Sequence, residues 1–185
     1  MIVDLSPSTP ERIEETARLL HDAFRERTAA WPDLESAMAE VLDSLQEGRV
    51  SRVALDEAGR VIGWVGGQPQ YDGHVWELHP LAVDRGHRRR GIGRALVEDL
   101  ESIARARGGI TLWLGSDDEL GETSLAGRDL FEGLAGQLDA FRSWGEHPYP
   151  FYHRLGFRLV GVMPDANGVG KPDIFMAKRI ARPDG

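Results

Sequence analysis

Apolar residues recur at every third or fourth position in several stretches of the chain, the spacing that places them on one face of an α-helix. Two residues are of the types that begin helices. They are Thr9, which a proline and an acid follow, and Asp33. Gly108 and Gly109 end the stretch that begins at Ile92. The predicted helices cover residues 10–27, 34–48, 92–107, 130–141 and 151–155.

Shorter apolar runs bounded by turn-forming residues predict seven strands, at residues 2–5, 50–55, 61–68, 75–83, 110–114, 158–163 and 174–180. Hairpin-type turns at 56–59 and 72–73 make the second, third and fourth strands antiparallel neighbours. The fifth strand follows a helix and is almost continuously apolar. It should therefore lie parallel to the fourth strand, with both faces buried. The pattern predicts one α/β domain, residues 1–185, around a mixed sheet.

Composition narrows this picture mainly by exclusion. The 185 residues are 41% apolar and 28% charged, as in a folded globular domain. No apolar run approaches the length of about 18 residues that a membrane span needs, and the N-terminus does not resemble a signal peptide, so we expect a cytoplasmic protein. Without cysteine there is neither a thiolate metal ligand nor a cysteine nucleophile. A net charge of −8 argues against nucleic acid as a partner and would attract a cationic substrate.

A turn rich in arginine and glycine, RRRGIG at residues 88–93, separates the fourth strand from the third helix. Glycine lets backbone amides approach a ligand, and the first turn of a helix carries partial positive charge, so a phosphate or pyrophosphate suits this place. The turn is not a Walker A loop. It also lacks the third glycine of a dinucleotide-binding fingerprint, because Arg94 to Val97 follow Gly93.

Three other residues are candidates for catalysis. Glu77 and His79 alternate along the fourth strand and so share a face. They could anchor or deprotonate an amine, or Glu77 could pair with a surface base while His79 is an ordinary core histidine. Tyr152 opens a short amphipathic helix, where it could be simple packing or could protonate a departing thiolate.

The motif R-x-x-G-x-G after a strand, together with FYxxLGF from residue 151, resembles the GCN5-related N-acetyltransferases. Four longer segments narrow the resemblance to the aminoglycoside 6′-N-acetyltransferases, and among these to the small, chromosomally encoded, dimeric branch. The segments are PQYDGHVWELHPLAV, GGITLWLGSDDE, EHPYPFYHRLGF and VGVMPDANGVGKPDIFMAKRI. The similarity covers most of residues 60–182, and the N-terminal third matches chiefly at Trp31-Pro32.

The resemblance implies the acetyltransferase fold of that family, a mostly antiparallel sheet with a parallel, splayed central strand pair and flanking helices. It implies a homodimer that transfers acetyl from acetyl-CoA to the 6′-amine of aminoglycosides, without a metal, and so confers antibiotic resistance. The residues implied at the aminoglycoside are Trp31, Tyr71, Glu77, Asp117 and Asp118. Those implied at acetyl-CoA are Leu81, Ala82, Val83, Arg88, Arg89, Arg90, Gly91, Ile92, Gly93 and Arg94.

Within that resemblance, the Leu81 N–H would polarise the thioester carbonyl, Glu77 and His79 would act on the amine, and Tyr152 would protonate the CoA sulfur. Other interpretations stay open. Residues 117–119 could be a solvated acidic loop, and Trp31 and Tyr71 could be ordinary packing. The enzyme could act on another amine, such as a polyamine or a protein N-terminus, or the chain could be a non-catalytic acetyl-CoA-binding module.

Overall fold

The computed structural model describes residues 1–182, which form two compact units. The first contains Met1–Leu112 and the chain from Ile180, and the second contains Trp113–Arg179. The helices are α1 Pro10–Phe24, α2 Leu34–Asp43, α3 Ile92–Ala106, α4 Leu134–Asp139 and α5 Tyr149–Arg154. The strands are β1 Ile2–Asp4, β2 Val50–Leu55, β3 Val61–Gln70, β4 Val75–Val83, β5 Thr111–Asp117, β6 Arg158–Met163 and β7 Asp173–Arg179.

The first unit contains an antiparallel run of four strands, β1 to β4, in chain order. β5 begins beside the start of β4, where the N–H groups of Ile110 and Thr111 donate to the His74 carbonyl over 2.9 and 3.2 Å. Because the two strands start side by side, they run parallel. The four antiparallel strands and the parallel fifth confirm the arrangement that the turns and the long helix predict.

In the second unit, β5 continues beside β7, which pairs with β6 in an antiparallel hairpin. The hydrogen-bonded order of all seven strands is β1-β2-β3-β4-β5-β7-β6, with one parallel pair. The predicted class, an α/β fold on a mixed, mostly antiparallel sheet with flanking helices, is confirmed.

Helices cover both faces of the sheet in the first unit. Trp64 of β3 belongs to a core that it shares with buried residues of α1 and α2. A Cβ added at the adjacent Gly63 would instead meet Leu96 of α3. Since successive residues of a strand point to opposite faces, α1 and α2 pack on one face and α3 on the other. None of the helices within residues 1–182 is long and apolar enough to cross a membrane.

The second unit has its own apolar core, and here the predicted helix over residues 130–141 is too long. Only Leu134–Asp139 is helical. Leu130 and Phe141 nevertheless lie in the core, with Leu125 and Ile174. Leu130 and Phe141 are apolar because they are buried. Their spacing from the leucines of α4 is the same as in a helix, which is why the predicted helix was too long.

Three smaller predictions differ from the structure. The Thr9 hydroxyl donates to the Ser6 carbonyl over 2.8 Å, and in the described chain no side chain caps α1. Asp33, in contrast, caps α2 as predicted, by accepting from the Ser36 N–H over 2.8 Å. β5 extends to Asp117 and alternates between buried and more exposed positions, so it is not buried on both faces. The helices α1 and α2 end at Phe24 and Asp43, before their predicted ends.

Candidate active site

The strand that carries most of the candidate residues, β4, contains a bulge. Leu78 lies opposite Gly67 and Leu81 opposite Val65, so two residues of β4, His79 and Pro80, share one partner on β3. That partner is Gly66, where an added Cβ would collide with the His79 carbonyl oxygen. A bulge of this kind bends a strand and redirects its side chains. The pair Gly66-Gly67 is the sequence signal for the bulge, which was not among the predicted features.

Glu77 lies on β4 two residues before the bulge and is half-buried. Its carboxylate oxygen Oε2 accepts two hydrogen bonds, from the side-chain amide nitrogens of Gln68 over 2.7 Å and Gln70 over 2.6 Å. Both donors are neutral amides, so neither contact is an ion pair. The partners of Glu77 are therefore two glutamines and not the surface base that was the alternative. Neither glutamine was a candidate from the sequence.

His79 is not a core histidine, because 45% of its side chain is exposed. Its Nε2 lies 3.7 Å from Oε1 of Glu40, on α2. The other oxygen of Glu40 accepts from the indole nitrogen of Trp31 over 3.4 Å, and the Trp31 and His79 rings are 5.8 Å apart between centroids. Trp31 itself is buried in the first core, with Phe24 against its edge. Glu40 therefore joins two candidate residues, and its place on the polar side of α2 gave no sequence signal.

The turn before α3 has the features of an anion site. Gly91 stands immediately before the helix with a φ of 84°, and Arg89 also has a positive φ, of 61°. Within the described chain no side chain caps α3, and its first turn contains no acid. The exposed amides of this turn and three exposed arginines, Arg88 to Arg90, therefore present positive charge to solvent. A phosphate group fits such a helix start.

The other predicted cofactor residues surround this turn. Arg88 donates from Nε to the Val83 carbonyl over 3.1 Å, which ties the turn to the end of β4. The Nη1 atom of Arg94 lies 3.7 Å from Oε1 of Glu98, on the exposed face of α3. Leu81 and Val83 are half-buried on β4, whereas the side chain of Ala82 belongs to the core. Ile92 and Gly93, also half-buried, form the first turn of α3.

The predicted substrate residues have contrasting surroundings. Tyr71 is 77% exposed in the turn between β3 and β4. Asp117 ends β5 with an exposed side chain that accepts from the Asn167 amide over 2.5 Å. Asp118 is buried, and its two oxygens accept from the backbone N–H groups of Glu122 over 2.6 Å and Thr123 over 2.9 Å. It therefore organises the loop that follows, a use of this carboxylate that the sequence did not indicate.

Tyr152 lies on α5 in the second unit and is 7% exposed. Its ring contacts those of Phe151 and Phe157 edge to face, with centroids 5.0 and 5.6 Å apart. Burial raises the pKa of its phenol far above the usual value of 10, because the charged form would lose its hydration. The hydroxyl therefore stays protonated at any physiological pH and can act only as a donor or a neutral acceptor.

Residues 1–182 contain no group of three or more histidines, aspartates and glutamates arranged to hold a metal ion. The chemistry available to the described residues is that of an anion-binding helix start, a carboxylate held by amides and a buried phenol.

Comparison with known proteins identifies the class. The family model described as "Acetyltransferase (GNAT) family" matches residues 14–126. The chain belongs to this family and is an acetyl-transferring enzyme. This membership confirms the broader of the two resemblances noted in the sequence.

The solved structures agree with the narrower resemblance. The chain is 38% identical to an aminoglycoside 6′-N-acetyltransferase complexed with coenzyme A, over 100% of this chain and 99% of that one, with a TM-score of 0.90. It is also 38% identical to the aminoglycoside 6′-N-acetyltransferase from Enterococcus faecium, over 100% of this chain and 99% of that one, with a TM-score of 0.88. With aminoglycoside 6′-acetyltransferase type Ii the identity is 35%, over 99% of each chain, and the TM-score is 0.75. No curated protein matched the chain.

Proposed function

We propose that this enzyme transfers acetyl from acetyl-CoA to the 6′-amine of aminoglycosides. The observation that carries the proposal is the identity of 38% with two aminoglycoside 6′-N-acetyltransferases over 100% of this chain. The negative net charge of −8 supports it, because aminoglycosides are polycations. The exposed Asp117 supports it as a partner for an ammonium group, and the exposed Tyr71 as an aromatic surface for a sugar ring. Trp31 is buried and would act through the hydrogen bond from its indole nitrogen to Glu40. Asp118 is also buried and would act only through the loop that it organises.

Acetyl-CoA binding is consistent with the first of those structures, which contains coenzyme A. We assign its pyrophosphate to the start of α3, where Arg88, Arg89, Arg90 and Arg94 would supply cations and Gly91, Ile92 and Gly93 backbone amides. The backbone of Leu81 to Val83 would form hydrogen bonds with the pantetheine arm, as it would with a neighbouring strand. A valine at Gly93 should weaken acetyl-CoA binding, because its side chain would stand where the backbone must approach phosphate.

The reaction that we propose is direct attack of the amine on the thioester. A C–N bond forms and the C–S bond breaks through a tetrahedral intermediate, whose oxyanion accepts a hydrogen bond from the Leu81 N–H. Glu77 holds the amine, or removes its proton through water, and His79 adjusts the charge beside it. Tyr152 donates a proton to the sulfur of CoA. A homodimer, a cytoplasmic location and a role in antibiotic resistance complete the proposal.

The test compares two aminoglycosides that differ at position 6′, one with an amine and one with a hydroxyl. Each is incubated with acetyl-CoA, and the release of CoA is followed with a thiol reagent. We expect turnover of the 6′-amino compound alone. Equal turnover of both would mean that another amine is acetylated.

A panel containing a polyamine and an N-terminal peptide tests the other acetyltransferase function. Stabilisation of the protein by acetyl-CoA, without turnover of any amine, would indicate a binding module.

A further inference from the structure

We propose that Gln68 and Gln70 are positioning residues of the acetyl-transfer site, which hold Glu77 as a fixed, fully charged acceptor for the cationic substrate. This inference rests on the proposed function and deepens it. Gln68 lies outside the segments that carry the family resemblance, and Gln70 is the second residue of one of them.

The arrangement follows from the pairing of β3 with β4. Gln68 and Gln70 are two residues apart on β3 and so share a face of the sheet. Glu77 lies directly opposite Gln68, and Val75 lies opposite Gln70. Both amide nitrogens reach the same oxygen of Glu77, over 2.7 and 2.6 Å, which are short distances for N–H···O bonds.

Two donors on Oε2 restrict the rotation of the carboxylate, which otherwise has a broad torsional minimum about its terminal bond. Oε1 is then presented in one direction, available to an ammonium or amine group. The register shifts at the bulge formed by His79 and Pro80, immediately beyond Glu77, so the glutamine contacts fix Glu77 in the regularly paired part of β4 that precedes the bulge.

The choice of residue type matters for the charge of the site. An arginine or lysine in either position would hold Glu77 equally well but would compete with the ammonium groups of the substrate. A glutamine donates without a positive charge and does not ionise near neutral pH. The pair therefore positions Glu77 while its full negative charge stays available to a cation.

A double-mutant cycle tests the inference. Gln68→Met and Gln70→Met keep the length of the side chain and remove the donors. We expect the double variant to raise KM for the aminoglycoside about tenfold, since each lost bond is to a charged group, while KM for acetyl-CoA stays within about twofold. In a Glu77→Ala background the same two substitutions should change kcat/KM by less than about twofold, because they act through Glu77.

An equal loss in both backgrounds would overturn the inference, since it would mean that the glutamines act on the fold or contact the substrate themselves. Gln46→Met, in an exposed turn after α2, is the matched control and should leave both KM values unchanged. Thermal unfolding of every variant separates loss of the fold from loss of positioning.

A second measurement needs no substrate. In the NMR spectrum of the ligand-free protein, the side-chain amide signals of Gln68 and Gln70 should shift in Glu77→Ala, whereas that of Gln46 should not. Unmoved signals would refute the contact even where aminoglycosides are acetylated. Shifted signals in a protein that acetylates no aminoglycoside would refute the proposed function and leave the positioning of Glu77 standing.

Discussion

Asp117 and Asp118 are adjacent in sequence, yet their carboxylates have different surroundings. Asp117 is exposed at the end of β5, while Asp118 is buried and accepts two backbone hydrogen bonds. Burial of a carboxylate costs free energy unless hydrogen-bond donors replace the water that it loses, which is what the N–H groups of the following loop do. An acidic run in a sequence therefore indicates charge without indicating which member is available to a ligand.

Tyr152 offers the sharpest test of catalysis by a single group. Tyr152→Phe keeps the ring between Phe151 and Phe157 and removes the hydroxyl. If the phenol protonates the departing sulfur, the rate of a single turnover should fall about tenfold to a hundredfold, the low end for general acid catalysis because a thiolate already leaves readily. Rapid-quench measurement of acetyl transfer isolates this step, and a wild-type rate would mean that Tyr152 serves packing alone.

The same substitution has a consequence for stability at high pH. The pKa of Tyr152 is raised in the folded protein, so the unfolded chain releases this proton first. The stabilising contribution is fully present below the usual tyrosine pKa of about 10 and is lost above it, at about 1.4 kcal/mol per pH unit. Urea unfolding between about pH 9 and 11, one unit either side of the usual tyrosine pKa, should therefore show a shallower decline in the free energy of unfolding for Tyr152→Phe than for the wild type. Parallel declines would contradict the burial of the phenol.

At the scale of whole elements, regular apolar spacing was sufficient for prediction where an element packs by one face. The bounds of β2 and β4 and the beginnings of α1, α2 and α3 agree with the pattern. Prediction failed where residues distant in sequence decide the outcome. Leu130 and Phe141 are apolar because they reach the second core from outside α4, and no local pattern distinguishes that from a longer helix.

For the candidate site, residue types and motifs singled out Glu77, Tyr152 and the turn before α3, whose roles stay predictions. The partners that give these residues their properties, Gln68, Gln70 and Glu40, depend on strand register and helix packing, which a single sequence does not display. Neutral amides and a surface acid also have no chemical signature of their own.

The bulge in β4 yields a prediction about the sheet. Gly66→Ala would place a methyl group against the His79 carbonyl oxygen, so the two strands must separate or the bulge must change. We expect a loss of about 1–3 kcal/mol in the free energy of unfolding, as for other forced overpacking. Because the bulge precedes Leu81 and includes His79, kcat should fall as well.

Gly136→Ala is the matched control, since an added Cβ in α4 meets no atom of the described chain within 4 Å. It should be neutral or stabilise the protein by about 0.4–1 kcal/mol. Chemical unfolding of both variants measures the difference, and equal effects would contradict the close approach at Gly66.

For the molecule as a whole, the charge of −8 predicts a dependence on ionic strength. Screening shortens from about 10 Å at 0.1 M salt to about 3 Å at 1 M, so steering of a polycation weakens. We expect kcat/KM for the aminoglycoside to fall at least about threefold over this range, mainly through KM. A substrate analogue that carries a single amine should show a much smaller change. A salt-independent kcat/KM for the aminoglycoside would argue against electrostatic attraction.

The chain leaves the first unit after Leu112 and returns to it at Ile180, where Ile180 donates to the Ile110 carbonyl over 2.9 Å and accepts from Arg105 over 2.7 Å. During translation, the ribosome must add residues 113–179 before these bonds can form, which takes on the order of 3–13 s at about 5–20 residues per second. For that interval the nascent first unit lacks its closing contact. Arg105 can meanwhile pair with Glu101, one helical turn away, which is already synthesised. Docking of the segment at Ile180 can therefore only follow synthesis of the inserted unit, and the length of that unit sets the earliest time at which it can occur.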